Sequence, residues 1–313
     1  MKIVSIFSGA GGFDLGFIQA GHQVIWANDI WHDAVETYRR NIGNLMVYKD
    51  IRTINTLDIP NSDIIIGGFP CQGFSIANTK RNTHDARNFL YQEFIRILQA
   101  KQPPFFLAEN VKGILSLDKG KVFHKIMKDF SQIGYHIKYA LLNAANYGVP
   151  QTRERVFILG IRKNIACDLK FPPTPTHEKG ATLFNQPKWV SVGEALKNIP
   201  EPNQAHNLAN HEASQYKLRF NGYLGHRRID PHKPCPTITS RGDDKGGVVV
   251  HHHPNNHRRL SAREAAIIQT FPLDFIFVGT KTSVYRQVAN AVPPLLAKAI
   301  AKIFPLEGFR NDN

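Results

Sequence analysis

Cys71 stands in the run Gly67-Gly-Phe-Pro-Cys-Gln-Gly-Phe-Ser75. A lone cysteine is usually an inert core residue. Here Gly67, Gly68, Pro70 and Gly73 specify an unusual backbone path instead of plain burial, which suits a thiol held toward a ligand. A second run, Phe7-Ser-Gly-Ala-Gly-Gly12, follows an apolar stretch and opens a helical pattern. Its glycines let the backbone approach a ligand, and the helix start behind it offers free N–H groups. Gly9 and Gly11 fit a dinucleotide fingerprint, but Asp14 stands where the third glycine belongs, so the phosphate-binding form fails. Asp29 follows about 20 residues on, where a ribose would be held, and Asp50 closes the next strand in a similar position. Adenosine held by carboxylates without a pyrophosphate cradle points to S-adenosylmethionine rather than NAD. Glu109, beside Asn110 at the end of an apolar run, does not read as a surface carboxylate. Arg153 and Arg155 alternate at the start of a strand and so share one face.

These residues need a scaffold, and the first 160 residues supply an α/β alternation. Lys2–Phe7, Gln23–Asn28, Met46–Asp50, Asp63–Gly68 and Pro104–Ala108 read as strands. Between them, Phe13, Phe17 and Ala20 fall on one helical face, as do Val122, Ile126, Phe130 and Ile133 within Lys121–Ile133. This alternation predicts a doubly wound parallel sheet, with both loops at its carboxyl edge. Tyr135–Asn143 and Arg155–Ile161 read as a strand pair joined through Gly148 and Pro150. The pattern changes at Phe171-Pro-Pro-Thr-Pro175, a natural linker. From about Thr176 to Lys281 periodicity is poor, and Asn290–Phe304 returns to a helical pattern. The expected organisation is a large domain of residues 1–175 plus 285–313, with a smaller, irregular, mainly β domain of 176–284 inserted before the C-terminal helix.

The 313 residues carry 39 Lys and Arg against 25 Asp and Glu, a formal charge of +14, which favours a polyanionic partner. Hydrophobic residues at 42% exclude wholesale disorder. No apolar run approaches the roughly 18 residues that span a bilayer, and glycines and Asp14 follow Met1–Phe7 too soon for a signal peptide. Three cysteines cannot make a disulfide framework. A soluble, cytoplasmic chain is expected.

In order along the chain, these motifs resemble those of the DNA cytosine-5 methyltransferases. Phe7–Gly12 is similar to the family's cofactor loop and Gly68-Phe-Pro-Cys-Gln72 to its nucleophile motif, with Phe69 where many members carry a second proline. Glu109-Asn-Val111, Gln151-Thr-Arg-Glu-Arg155 and Gln287-Val-Ala-Asn-Ala-Val-Pro293 are similar to its acidic, paired-arginine and C-terminal cofactor motifs. Arg258-Arg-Leu-Ser-Ala-Arg-Glu264 with Gln269-Thr-Phe-Pro272 resembles the element supporting the recognition domain. The resemblance implies an S-adenosylmethionine-dependent fold that methylates carbon 5 of a flipped-out cytosine through a covalent cysteine adduct. Cys71 would be the nucleophile, Glu109 the proton donor to ring nitrogen 3, Arg155 the holder of the base oxygen, and Arg153 the organiser of the Cys71 loop or a phosphate. The cofactor residues implied are Phe7, Ser8, Gly9, Gly11, Gly12, Asp29, Ile30, Asp50, Ile51, Pro70, Leu90, Asn290 and Val292.

Ser75–Arg87 is polar and basic and reads as a lid over the flipped nucleotide, with Ser75, Lys80, Arg81 and Arg87 on DNA. Between Arg219 and Arg263 nine Lys and Arg face three Asp. Arg227, Arg228 and Arg241, flanked by glycines and turns, suit base edges or phosphates. Pro234-Cys-Pro-Thr-Ile-Thr-Ser240 resembles the recognition core, so Thr237 and Thr239 are expected to position the reading loops. His251-His-His253 and His257 look like metal ligands but lack the spacing of a metal motif, and no metal is expected. The expected partner is double-stranded DNA, bound by a monomer, with a cognate restriction endonuclease acting separately. The alternatives are an RNA cytosine methyltransferase, which would usually carry a Cys-Phe-Thr tripeptide absent here, and a silent DNA-binding regulator, which intact Cys71, Glu109 and Arg155 oppose. Asp14 opposes a nicotinamide dehydrogenase.

Overall fold

A computed structural model describes residues 1–70, 90–180, 186–214, 217–223, 225–240 and 249–306. The α/β alternation folds as β1 (Lys2–Ile6), α1 (Gly12–Gln19), β2 (Gln23–Asp29), α2 (His32–Asn41), β3 (Met46–Tyr48) and β4 (Ile64–Gly67). It continues through α3 (Leu90–Lys101), β5 (Phe105–Val111), α4 (Lys121–Gln132), β6 (Tyr135–Asn143), β7 (Gln151–Thr152) and β8 (Glu154–Arg162). Seven strands form one sheet in the order β3-β2-β1-β4-β5-β8-β6. The pairings from β3 through β5 are parallel, and β8 runs antiparallel to both β5 and β6. The chain order reverses between β1 and β4, so a crevice opens at their carboxyl ends.

Strand alternation divides the core between the two faces of the sheet. Val4, Ile6, Ile65, Phe106 and Ile158 pack with Phe94 and Leu98 of α3 and Ile126 and Phe130 of α4. Ile3, Ile64, Ile66, Phe105 and Phe157 pack with Phe13 and Phe17 of α1 and with Leu296 and Ile300 of α8 (Pro294–Ala301). Gly16 lets α1 and α8 meet closely, since a Cβ there would lie 2.3 Å from Ala297 Cβ and 2.5 Å from Pro294 O.

Two boundaries differ from the sequence reading. β3 stops at Tyr48 because the Asp50 side chain caps a short 3₁₀ turn, Ile51–Thr53, accepting from Arg52 N–H. The C-terminal pattern splits into α7 (Lys281–Asn290) and α8, with Ala291 extended and Pro293 capping the second helix. Thr280 starts α7 by accepting from Ser283 N–H, so helical structure runs across the expected 284/285 boundary.

The segment from 176 is irregular, as expected, but its described residues are not mainly β. They hold α5 (Val192–Leu196), α6 (Ala262–Ile268), the two-residue strand β9 (Cys235–Pro236) and two isolated bridges. Carbonyls that a sheet would satisfy are met by buried side chains instead. Arg263, fully buried, donates to the carbonyls of Ala209, Pro272 and Phe275. A third core joins this segment to the rest, with Leu196, Ile238, Leu260, Ala266 and Phe275 packing with Val288 of α7 and with Ala10, Leu15 and Ile42.

Candidate active site

β1 ends at Ile6, and the next residues turn sharply, with positive φ at Phe7, Gly9 and Gly11 (56°, 55° and 88°). Phe7 is strained there, because its Cβ disfavours that region. Ser8 N–H donates to Asn28 O at 3.0 Å and Gly9 N–H to Asp29 Oδ2 at 2.8 Å, which fixes the loop against the end of β2. Trp31 N–H takes Asp29 Oδ1 at 2.9 Å. Burial pushes the Asp29 carboxyl above the usual range, against the pull of these backbone donors.

A cavity of about 530 Å³ opens over this loop. Phe7, Ser8, Gly9 and Gly12 form its floor, and a Cβ at Gly9 would meet nothing within 4 Å. Asp29, Ile30, Asp50 and Ile51, at and just after the ends of β2 and β3, line it as well. Pro70 and Leu90 line another side, and Asn290 and Val292 close the cavity from α7 and the segment after it. The expected cofactor residues therefore meet in one place, with one exception. Gly11 is not part of the lining. A Cβ on it would strike Ile42 and Tyr38, so its glycine serves the left-handed turn and the packing of α2. Asp50 reaches the cavity while paired with Arg52, whose guanidinium holds its carboxyl below the usual range.

Glu109, near the end of β5, borders the same cavity, its side chain 12% exposed. Its Oε1 lies 3.0 Å from Arg155 Nε on the neighbouring β8. Burial raises its pKa, and the charges of Arg155 and Arg153 oppose that rise. A Cβ at Gly68 would lie 2.9 Å from Glu109 Oε2, so glycine is needed for the backbone to pass the carboxylate. Asn110 Nδ2 donates to Phe69 O at 3.2 Å, tying the same backbone to β5. Cys71 itself lies outside the described residues, next in sequence to Pro70 on the cavity wall.

Arg153 and Arg155 both border the cavity, but they do different work. Arg153 donates through Nη1 to Ile238 O at 2.9 Å and through Nη2 to Ala289 O at 2.8 Å, bracing two distant segments. Among the described residues its Nε and the Thr239 hydroxyl are buried without a partner, and both residues line the cavity, which is polar capacity left for a ligand. Thr237 is not part of the lining, and its hydroxyl donates to Thr152 O at 2.6 Å.

Arg227 and Arg228 are exposed. Arg227 Nε donates to Gly222 O, and Arg228 lies 4.4 Å over the Phe220 ring. Ser75, Lys80, Arg81, Arg87 and Arg241 lie outside the described residues. His251, His252 and His253 are buried. The ligand atoms of His253, His257 and Glu201 come within 4.8 Å of one another. Arg258 already supplies a cation there, at 2.6 Å from Glu201 and 2.7 Å from Glu264.

The sequence reading missed Trp31 and Asn28, which also line the cavity. Trp31 follows Asp29-Ile30 directly, and an aromatic residue after a strand-end carboxylate was an available signal. Asn28 spends its amide inside, donating to the carbonyls of Val47 and Lys49.

Known proteins match this arrangement along almost the whole chain. The family model described as C-5 cytosine-specific DNA methylase matches residues 1–304. The type II methyltransferase M.NgoFVII of Neisseria gonorrhoeae is 41% identical, over 97% of this chain and 87% of its own. M.MthTI of Methanothermobacter thermautotrophicus is 36% identical over 99% of both chains. Among solved structures, a DNA modification methyltransferase encoded within an E. coli prophage superposes with a TM-score of 0.78 at 27% identity, covering 97% of this chain and 98% of its own. Since the match over residues 1–304 takes in every residue that lines the cavity, the chain belongs to the C-5 cytosine-specific DNA methylases and is a DNA (cytosine-5) methyltransferase.

Proposed function

We propose that the cavity binds S-adenosylmethionine beside a cytosine flipped out of duplex DNA, and that Cys71 forms a covalent adduct with that base. The observation that carries this reading is that Glu109, held by Arg155, lines the same cavity as Asp29 and the glycine loop. Apolar walls from Phe7, Ile30, Ile51, Leu90 and Val292, with the carboxylates of Asp29 and Asp50, suit an adenosine. Bound there, S-adenosylmethionine supplies an electrophilic methyl group.

Carbon 5 of cytosine is a weak nucleophile until the ring is activated. The Cys71 thiolate adds at carbon 6, and the electrons of the 5,6 double bond become available at carbon 5. Glu109, whose enclosure raises its pKa and so favours the protonated form, gives a proton to ring nitrogen 3 and stabilises the enamine. Arg155 orients Glu109 and holds the base oxygen. Once carbon 5 has taken the methyl group, loss of its proton to water re-forms the 5,6 double bond as the carbon 6–sulfur bond breaks, the thiolate returns to Cys71, and ring nitrogen 3 gives its proton back to Glu109. We assign 1–175 with 285–313 to catalysis and 176–284 to sequence recognition, with Ser75, Lys80, Arg81, Arg87, Arg227, Arg228, Thr237, Thr239 and Arg241 serving DNA. The named relatives are type II methyltransferases. On that basis we place this chain in a restriction–modification system, acting as a cytoplasmic monomer with a separate endonuclease.

Labelled methyl transfer and adduct trapping test the chemistry together. A duplex with 5-fluorocytosine at the target cannot lose fluorine as a cation, so with cofactor present it should leave a denaturation-resistant complex. Cys71→Ser should abolish transfer and trapping while keeping DNA binding within about tenfold, because the thiol attacks and does not dock. Turnover above a few percent in that variant would remove Cys71 from the role, and label entering tRNA instead of DNA would redirect the substrate.

A further inference from the structure

Asp14 takes no part in the chemistry above, yet its carboxylate is fully buried in the first turn of α1. Its Oδ2 accepts from Ser5 Oγ at 2.9 Å and its Oδ1 from Tyr38 Oη at 3.0 Å. Ser8 Oγ lies 2.8 Å from Ser5 Oγ and donates to it. Each hydroxyl has one proton, and an ionised carboxylate has none to give. Ser5 must therefore spend its proton on Asp14, and the bond between the serines must use the proton of Ser8. Both serines line the cavity, so the Ser8 oxygen meets it with lone pairs only.

We propose that Asp14 is a positioning residue for cofactor binding: through Ser5 it draws the Ser8 proton inward and leaves Ser8 Oγ as an acceptor for an ammonium or hydroxyl donor of the bound molecule. The proposal rests on the reading of the cavity as the cofactor site. Burial, with repulsion from Asp29 at the end of β2, raises the Asp14 pKa to about 6, while the hydroxyls of Ser5 on β1 and Tyr38 on α2 pull it down. Below that pH the protonated acid can donate to Ser5, and the chain of hydroxyls is free to run outward.

The ionised form is the one that orders Ser8, so affinity is lost as pH falls through about 6. Stability runs the opposite way. The unfolded acid ionises near 3.8 and the folded one near 6, so ionisation works against the folded state, and stability declines as pH rises between those values. A neutral Asn at this site therefore sacrifices ordering of Ser8 without sacrificing the fold.

Titrating S-adenosylhomocysteine between pH 5.5 and 8 tests this on wild type, Asp14→Asn, Ser8→Ala, Tyr38→Phe and Asp29→Ala. At pH 8, Asp14→Asn and Ser8→Ala should bind about fivefold or more weakly, the scale of one lost hydrogen bond. Both should lose the step near pH 6, and Asp14→Asn should melt no lower than wild type. Tyr38→Phe removes a bond to the ionised acid and should move the midpoint to higher pH, a readout that stands even if Asp14→Asn folds poorly. Asp29 also titrates upward, so the difference between variants decides, not the wild-type profile. A wild-type step in Asp14→Asn, or a midpoint unmoved by Tyr38→Phe, overturns the relay. If Asp29→Ala weakens binding while Asp14→Asn and Ser8→Ala do not, the relay alone is wrong. Unchanged affinity in Asp29→Ala overturns the cavity reading and the relay with it.

Discussion

Glu109 and Asp29 border one cavity and burial raises both their pKa values, yet the mechanism we propose asks opposite things of them. Asp29 has two backbone N–H donors on its oxygens, which favour the ionised form and an accepting role. In the proposed mechanism Glu109 delivers a proton, so its elevated pKa is useful. Glu109→Gln should lower kcat by about a hundredfold or more, the scale of a lost general acid, while cofactor affinity stays within a few fold. Its rate should also lose the alkaline fall expected of an acid that must be protonated. Comparable losses in rate and affinity, measured by labelled transfer and titration, would assign Glu109 a structural role. Glu109 and Arg155 were legible in the sequence because strand ends with unusual neighbours mark them. Asp14 was read only as a missing glycine, since its partners Ser5, Ser8 and Tyr38 come together through the fold and not through spacing.

Elements with strong apolar periodicity were the most legible. β6 spans Tyr135–Asn143 as expected, and α4 ends within one residue of its expected limit. Helices α2 and α3 escaped notice for separate reasons. The buried stripe of α2 is only Ala34, Val35, Thr37 and Tyr38 in an otherwise polar segment, and α3 follows directly on the polar stretch read as a lid. The irregular segment was illegible for a physical reason, because its order comes from side chains such as Arg263 and Asn210 satisfying remote carbonyls. Gly16 was likewise silent in the sequence. Gly16→Val would drive its Cβ into Ala297 and into the backbone of Pro294 and Lys298, which a rotamer change cannot relieve. The expected loss is about 3 kcal/mol or more, read as a lowered midpoint in denaturant unfolding.

For the whole molecule, the charge of +14 and, on the proposed reading, the exposed Arg227 and Arg228 should set how DNA binding responds to salt. Arg227 uses Nε internally on Gly222, which fixes the direction of its guanidinium. Arg227→Ala should weaken all duplexes alike and reduce the salt slope by about one contact. Arg241→Ala should instead relax discrimination at one base position by roughly 1–3 kcal/mol, as expected of a fork on guanine. Comparing cognate and single-mismatch duplexes at two salt concentrations separates the two, and a uniform loss for Arg241→Ala would sink its base-reading role.

The third core gives the molecule a further property. It ties α6 and α7 to Ala10, Leu15 and Ile42. Asn41 accepts from Ile276 N–H, Thr37 from Val278 N–H and Asp33 from the Ser283 hydroxyl, so the same stretch is also sewn to α2. Calorimetry should therefore show one cooperative melt, and two resolved transitions would contradict this. For protein engineering, if 176–284 reads the target as proposed, that preference is not a cassette to be cut out and exchanged. A graft of 176–284 from a relative would sever shared packing on both sides. Altering the exposed turn that carries Arg227 and Arg228, while leaving Ile238, Leu260 and Phe275 in place, keeps that packing whole. New target preferences would then be acquired a few surface residues at a time, on a frame that never has to be reassembled.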